Sequence, residues 1–201
     1  MDKTVFHSRS REDTYDFARN MAKTAKAGDI VCLTGDLGSG KTVFAKGFAA
    51  GLGVVREVVS PTFTMLIEYP PDSGGNGNQG RAAGQLRNAA AGQRLPMYHF
   101  DVYRLGEALN GPASAGAGNN GGDAGADPVA AAAVTRFEDI GGDEYLFGDG
   151  VCLIEWAEMI RPAVPEGAVW VEIRKTEGDE NEREIAVYAN PDSSCLYVRG
   201  R

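Results

Sequence analysis

The chain is short of positive charge, cysteine and long apolar runs. Its 201 residues carry 20 Lys and Arg against 28 Asp and Glu, a formal net charge of −8. A tight, sequence-independent nucleic-acid binder needs a basic surface. Any nucleic acid this chain serves is therefore expected to be held by a partner. There are three cysteines, Cys32, Cys152 and Cys195, with no CxxC pair. Three thiols cannot all pair within one chain. Cys32 and Cys152 lie in apolar runs and read as buried thiols in a reducing cytosol. No apolar run approaches the length of a membrane-spanning helix, so no membrane is expected. Residues 1–11 are polar and charged and lack the apolar stretch of a secretory signal, which agrees with a cytoplasmic protein. No internal repeat is visible.

Glycine is in excess, at 27 residues, roughly twice average usage. It clusters in two segments, 72–95 (DSGGNGNQGRAAGQLRNAAAGQRL) and 106–134, whose centre reads GPASAGAGNNGGDAGADP. Neither has apolar periodicity or aromatics, so neither buries enough to offset the entropy of ordering. They are expected as flexible, low-complexity insertions in a single domain spanning residues 1–201. The Ala-rich end of the second, residues 129–134, alternatively extends a following helix.

Outside these segments, residues 11–25 space Tyr15, Phe17, Ala18, Met21 and Ala22 as a helix, with Ser10 or Asp13 as its cap. Residues 29–34 (DIVCLT) form a short apolar run typical of a buried parallel strand. A glycine loop at 35–42 and a helix at 43–52 follow. Residues 62–69, 96–103 and 151–156 read as strands, and 136–147 as one short helix or two broken at Gly141–Gly142. Residues 168–176 and 183–189 alternate like antiparallel strands around a polar turn at Gly178–Asp179, and 196–199 could add an edge strand. Helices and strands interleave early and strands dominate late. The expected fold is α/β, with a partly parallel central sheet, antiparallel strands at its extension and helices on both faces.

The strongest chemical signal is Gly35-Asp36-Leu37-Gly38-Ser39-Gly40-Lys41-Thr42, which fits G-x-x-x-x-G-K-[ST] between an apolar strand and a helix. Glycines let the backbone curl until several N–H groups face one phosphate chain. The following helix adds its positive end. Lys41 is expected on the β- and γ-phosphates, and Thr42 offers its hydroxyl to Mg²⁺. Such a site needs a carboxylate at the end of a neighbouring strand. Glu155 ends the run Cys152–Trp156, and Asp101 ends Tyr98-His99-Phe100-Asp101. The plainer alternatives are a solvated strand-end carboxylate for Glu155 and an ion pair with Arg104 for Asp101. His99 shares a strand face with Asp101 and either orients water or phosphate or serves as a hydrogen-bonded structural histidine. Ser60-Pro61-Thr62-Phe63 follows the helix where nucleotide switches carry a mobile loop. Thr62 is then a candidate phosphate or metal contact, with a plain turn as the alternative.

Taken together, GDLGSGKT at 35–42, SPTF at 60–63, YHFDVYRL at 98–105 and CLIEW at 152–156 resemble the TsaE (YjeE) family. That family is the P-loop ATPase of bacterial tRNA threonylcarbamoyladenosine synthesis. The resemblance implies a P-loop NTPase-like sheet and the cofactors ATP and Mg²⁺. It implies that Thr42, Glu155 and Asp101 hold the metal and its water shell. Asp36 to Thr42 would bind phosphates, chiefly through Lys41 and the loop backbone. Thr62 looks like the switch residue, and Trp156 like a residue packing beside the site. Arg183, in the late hairpin, looks like a nucleotide contact, or else an exposed strand arginine. Arg11 falls where the family's N-terminal segment passes the adenine. The implied partners are TsaB and TsaD, with tRNA reached only through their complex, which ATP turnover would reset. The glycine-rich segments depart from the family pattern but leave every motif intact.

Three other readings compete. A small-molecule P-loop kinase needs a lid with poised arginines, and Arg81, Arg87 and Arg94 sit among Gly, Asn and Ala that fix no geometry. A GTPase usually shows N-K-x-D, which is absent, and the D-x-x-G spacing at Asp139–Gly142 does not end an apolar strand. A nucleotide-gated binding module differs only in not needing turnover.

Overall fold

The computed structural model describes residues 2–71, 95–107 and 128–189. Seven strands make one sheet: β1 (Asp2–Ser8), β2 (Ile30–Thr34), β3 (Leu66–Tyr69), β4 (Met97–Asp101), β5 (Val151–Glu155), β6 (Val169–Thr176) and β7 (Asp179–Ala189). Their spatial order is β1-β7-β6-β2-β5-β4-β3. The central four strands, β6, β2, β5 and β4, run parallel, and antiparallel strands extend both sides.

The apolar runs of β2 and β5 follow from burial on both faces. Val31, Leu33, Val151 and Leu153 enter one core, while Ile30, Cys32, Cys152 and Ile154 enter the other. The first core is closed by α1 (Arg11–Ala22) and α2 (Lys41–Leu52). The second lies under α3 (Tyr103–Glu107), α4 (Pro128–Asp139), α5 (Gly142–Leu146) and the 3₁₀ segment Ala157–Ala163. Helices therefore cover both faces, as the interleaving of elements predicts.

Ser10 is the cap of α1: its Oγ accepts from the Asp13 N–H at 3.0 Å, and Asp13 Oδ2 accepts from the Arg9 N–H at 2.8 Å. The helix ends at Ala22, three residues before the expected limit. Gly47 and Gly51 on α2 let it lie directly against α1. A Cβ on Gly47 would stand 2.9 Å from the Tyr15 Cα, and one on Gly51 2.6 Å from the Ala22 Cβ.

The structure departs from the sequence reading in several places. β1 is unforeseen: it pairs antiparallel with β7 from Asp2↔Ala189 to Ser8↔Arg183. As an edge strand with solvated residues it shows little apolar pattern. β3 starts at Leu66, because Met65 holds a positive φ of 63° and residues 62–65 form a tight loop. β4 stops at Asp101, and Tyr103, the last residue of the expected strand, begins α3. The loop expected over 106–134 is shortened at both ends, the second as the alternative helix reading had it. Gly106 belongs to α3, and the Ala-rich end is the first half of α4, where Ala133 and Phe137 reach the second core. Leu95, assigned to the first insertion, packs on the first core. The remainder of both insertions, with Arg81, Arg87 and Arg94, lies outside the described residues, as do Cys195 and the strand expected at 196–199. Cys32 and Cys152 are both free and buried, and burial pushes both thiols up, Cys152 to about 12.

Candidate functional site

The site sits at the C-terminal ends of the parallel strands, where β2 turns into α2 and β4 and β5 end level, with Asp101 opposite Glu155. Gly35, Gly38 and Gly40 take φ of 130°, 72° and 113°, a region that disfavours side chains. A Cβ on Gly35 would strike the Ile173 carbonyl, whereas one on Gly40 would meet nothing within 4 Å. The loop is thus pressed against β6 on one side and open as a cradle on the other. No side chain caps α2, so its first N–H groups face that opening. The cavity in front holds about 370 Å³ and is lined by Leu37, Gly38, Gly40, Lys41, Thr42, Val43, Ser60, Thr62, Asp101, Tyr103, Glu155 and Trp156.

Lys41 is 5 % exposed. Its Nζ donates to the carbonyls of Gly35 at 2.6 Å and Asp36 at 3.0 Å, and lies 3.5 Å from the centre of the Trp156 ring. Burial lowers its pKa, opposed by the carboxylates of Glu155, Glu158, Asp101 and Asp36. A polyphosphate in the cradle would favour the charged form. Trp156 has a positive φ of 62°, and its ring lies 4.8 Å from that of Tyr103.

Glu155 is 2 % exposed, so it is no solvated strand end. Its Oε2 accepts from Thr42 Oγ1 at 3.2 Å, and its Oε1 lies 2.9 Å from His99 Nε2. An ionised carboxylate only accepts, so His99 donates from Nε2. Asp101 makes no ion pair with Arg104, whose guanidinium lies 5.3 Å over the Phe63 ring. Asp101 Oδ2 accepts from Ser60 Oγ at 2.8 Å and Thr62 Oγ1 at 2.7 Å, and Oδ1 accepts from the Tyr103 N–H at 3.1 Å. The loop is also tied by its backbone, with Met65 N–H donating to Pro61 at 2.6 Å and Asp101 N–H to Met65 at 3.0 Å.

Among the described residues no three His, Cys, Asp or Glu side chains gather as a metal cage. One carboxylate beside one hydroxyl, next to a phosphate cradle, suits Mg²⁺ in particular. That ion keeps waters and shares its coordination with phosphate oxygens. The donors present therefore fit Mg²⁺ and a nucleoside polyphosphate.

Lys41, Thr42, Thr62, Asp101 and Glu155 come together around this cavity, with Leu37, Gly38 and Gly40. Asp36 contributes its carbonyl to Lys41, and Ser39 is buried behind the loop. Arg183 does not line the cavity. Its Nε donates to the Ser39 carbonyl at 2.7 Å and its Nη2 to that of Gly38 at 3.4 Å. Arg11 lines a neighbouring hollow of about 200 Å³ with Glu12, Tyr15, Asp16, Val43 and Lys46, and Val43 lines the main cavity as well. Sequence reasoning did not single out Ser60 or Tyr103. Ser60 sits one residue before a proline within a motif already noted, and Tyr103 two residues past Asp101.

The family model for threonylcarbamoyl adenosine biosynthesis protein TsaE matches residues 8–185. The chain is 36% identical over 179 residues to the tRNA threonylcarbamoyladenosine biosynthesis protein TsaE of Bacillus subtilis, covering 89% of this chain and 82% of that one. It is 33% identical over 180 residues to the protein of that name from Treponema pallidum, covering 90% and 96%. The crystal structure of Bacillus subtilis YdiB superposes with a TM-score of 0.58 at 32% identity, covering 94% of this chain and 86% of that one.

Proposed function

The chain belongs to the TsaE family, with a role in tRNA threonylcarbamoyladenosine biosynthesis, and on that premise we propose that it is a Mg²⁺-dependent ATPase. The observation that carries the reading is the 3.2 Å bond from the Thr42 hydroxyl to the buried Glu155 carboxylate, at the mouth of an uncapped helix. In this reading the loop 35–42 and the first turn of α2 bind the phosphates through backbone N–H groups. Lys41 leaves the Gly35 and Asp36 carbonyls to pair with the β- and γ-phosphates. Thr42 and Glu155 hold Mg²⁺, which supplies charge neutralisation on the phosphate oxygens when bound. Asp101 belongs to the surrounding water shell and positions Thr62. Trp156 and Tyr103 exclude water from one side of the cavity. Arg11 and the hollow beside Val43 receive the adenine end.

The proposed partners are TsaB and TsaD, with tRNA reached through their complex, and turnover resets that complex between modifications. The acidic balance of the chain supports a role in which tRNA is held by others. A cytoplasmic location is part of the same proposal; among the described residues no helix is long and apolar enough to cross a membrane. The test is capture of TsaB and TsaD on the immobilised chain with and without ATP and Mg²⁺, alongside phosphate release. ATP-dependent retention with release stimulated by the complex is expected. No binding of ATP, or equal retention in all nucleotide states, would refute it.

A further inference from the structure

The β6–β7 hairpin brings two further cations to the rim of the phosphate cradle. Along the inner face of β6 the buried residues Val171 and Ile173 are followed by Lys175. On β7 the matching row ends in Ile185 and Arg183. The register pairs Ile173 with Ile185 and then Lys175 with Arg183. Because β6 runs parallel to β2, this row emerges from the core at the end of the sheet that carries the loop 35–42.

Like charges directly opposite one another across a sheet are destabilising. Arg183 is satisfied by carbonyl groups. Besides Ser39 and Gly38, its Nη1 donates to the carbonyls of Glu180 at 2.6 Å and Glu182 at 2.7 Å. Its charge is thus spread over dipoles and meets no carboxylate among the described residues. Lys175 is exposed, and its Nζ stands 3.4 Å from where a Cβ on Gly38 would lie. Acidic residues crowd the turn beyond it, Glu177, Asp179, Glu180 and Glu182, yet none forms an ion pair with it among the described residues. The ammonium lies instead over the apex of the loop, beside a cavity that Gly38 lines. An anion in the cradle would relieve the repulsion between these two cations.

We propose that Lys175 is a phosphate-binding residue of the nucleotide site. Arg183, opposite it, is a positioning residue that holds the loop apex through the Gly38 and Ser39 carbonyls without touching the ligand. The resemblance to the family gave the nucleotide contact in this hairpin to Arg183; neither side chain lines the cavity, and of the two it is the lysine whose charge is not already bonded to carbonyls among the described residues. The division of labour follows from side-chain shape. A guanidinium presents a planar fork that spans adjacent carbonyls, whereas an ammonium on a flexible stem serves as a movable point charge. The proposal rests on the reading of the cavity as a nucleotide site, and the experiment separates the two.

Binding of ATP, ADP and inorganic pyrophosphate is measured by calorimetry at low and high salt for the parent, Lys175→Ala, Lys175→Arg, Arg183→Ala and Lys41→Ala. Amide exchange of residues 38–41 is followed without ligand in the same proteins. Lys175→Ala is expected to weaken all three ligands by about five- to tenfold at low salt, the loss of one charge-assisted contact. The loss should shrink at high salt, and Lys175→Arg should restore binding. Exchange in Lys175→Ala should match the parent, whereas Arg183→Ala should quicken it. Parental affinities in Lys175→Ala at low salt would overturn the proposal. So would exchange in Lys175→Ala as fast as in Arg183→Ala, which would make the lysine a brace. Weakened binding in Arg183→Ala with unchanged exchange would return the ligand contact to Arg183 and overturn the assignment made here. If the parent binds and Lys41→Ala does not, the nucleotide reading stands whatever Lys175 does. A parent that binds none of the three ligands overturns both.

Discussion

Replacing Glu155 by Gln separates what this carboxylate does for the fold from what it is proposed to do for Mg²⁺. The amide keeps the shape of a side chain that is 2 % exposed. Its oxygen can accept from His99 Nε2, now 2.9 Å away, and its NH₂ can donate to Thr42 Oγ1, now at 3.2 Å, once that hydroxyl rotates. Both polar contacts survive in neutral form. A hydrogen bond to a charged group contributes about 1.5–3 kcal/mol and a neutral one about 0.5–1.5, so two exchanges cost roughly 2 kcal/mol. Against this, the variant no longer buries a charge, whose desolvation costs several kcal/mol in a real protein. The opposing effects leave stability within about 2 kcal/mol of the parent, a Tm shift under about 8 °C for a chain of this size. A Mg²⁺ ion held by Thr42 and Glu155, as proposed, would not gain from that compensation. It would lose the carboxylate beside Thr42, and Lewis-acid stabilisation on phosphate oxygens is worth several kcal/mol. Turnover should then fall at least about 100-fold, since tenfold in rate is 1.36 kcal/mol. The assay is phosphate release against Mg²⁺ concentration with TsaB and TsaD present, beside thermal melts and ADP affinity without metal. Unchanged Mg²⁺ dependence and turnover would refute the assignment and make Asp101 the principal carboxylate. A Tm loss much beyond about 8 °C would refute the isosteric argument instead.

Lys41→Ala should abolish ATP binding, because it removes the only side-chain cation of the loop 35–42; parental affinity in a titration would refute the phosphate cradle. Gly47→Ala should destabilise the fold by up to about 2 kcal/mol: overpacking against the Tyr15 backbone costs about 1–3, offset by a gain in helix propensity of about 1. A raised urea midpoint would show that α1 yields without cost. The thiols of Cys32 and Cys152, raised from 9.0 by burial, keep protons that the unfolded chain releases. Stability should therefore fall as pH climbs from about 9 towards 12. A Cys32→Ala, Cys152→Ala variant should lose less over that range, and an equal loss would refute the linkage. Thr62→Ala should leave ADP affinity nearly unchanged and lower multiple-turnover tRNA modification. Parental modification would remove the switch role, and equal loss of ATP and ADP binding would make Thr62 a support of the pocket.

The parts of the fold legible in the sequence are those where local pattern and burial agree. β2 and β5 are apolar at nearly every position because both faces are covered, and G-x-x-x-x-G-K-T can only be placed at a strand–helix junction. β1 is illegible for the converse reason. Its residues DKTVFHS lie at a solvated edge, and what makes them a strand is the partner β7, nearly the whole chain away. The end of the second insertion stayed open between loop and helix because alanine, apolar enough to pack and small enough to resemble linker, suits both. Ala133 is fully buried although its run reads as low complexity. At the site, residue types were legible and their pairings were not. Glu155 and Asp101 were both visible as strand-end carboxylates. That one meets Thr42 and His99 while the other meets Ser60 and Thr62 depends on the level register of β4 and β5. Arg183 and Ser39 lie 144 residues apart, so their bond is a product of topology alone.

The two carboxylates tie the proposed nucleotide cavity to the loop at residues 60–65. Glu155 is fixed from two sides, by Thr42 on the cradle and by His99 from within the sheet. Asp101 is held by α3 through the Tyr103 N–H, and its other oxygen takes both loop hydroxyls at once. Each hydroxyl has a single proton, so while Ser60 and Thr62 donate to Asp101 neither has one left for a phosphate. Their lone pairs stay available, and a cation is the species that complements them. In the proposed reading, a cation held at Thr42 and Glu155 would draw on the same carboxylate, Asp101, that holds Thr62. The next residue, Phe63, is 84 % exposed with Arg104 over its ring. A shift of Thr62 would then move an apolar side chain on the surface. That displacement is the kind of local electrostatic event that a partner protein can register.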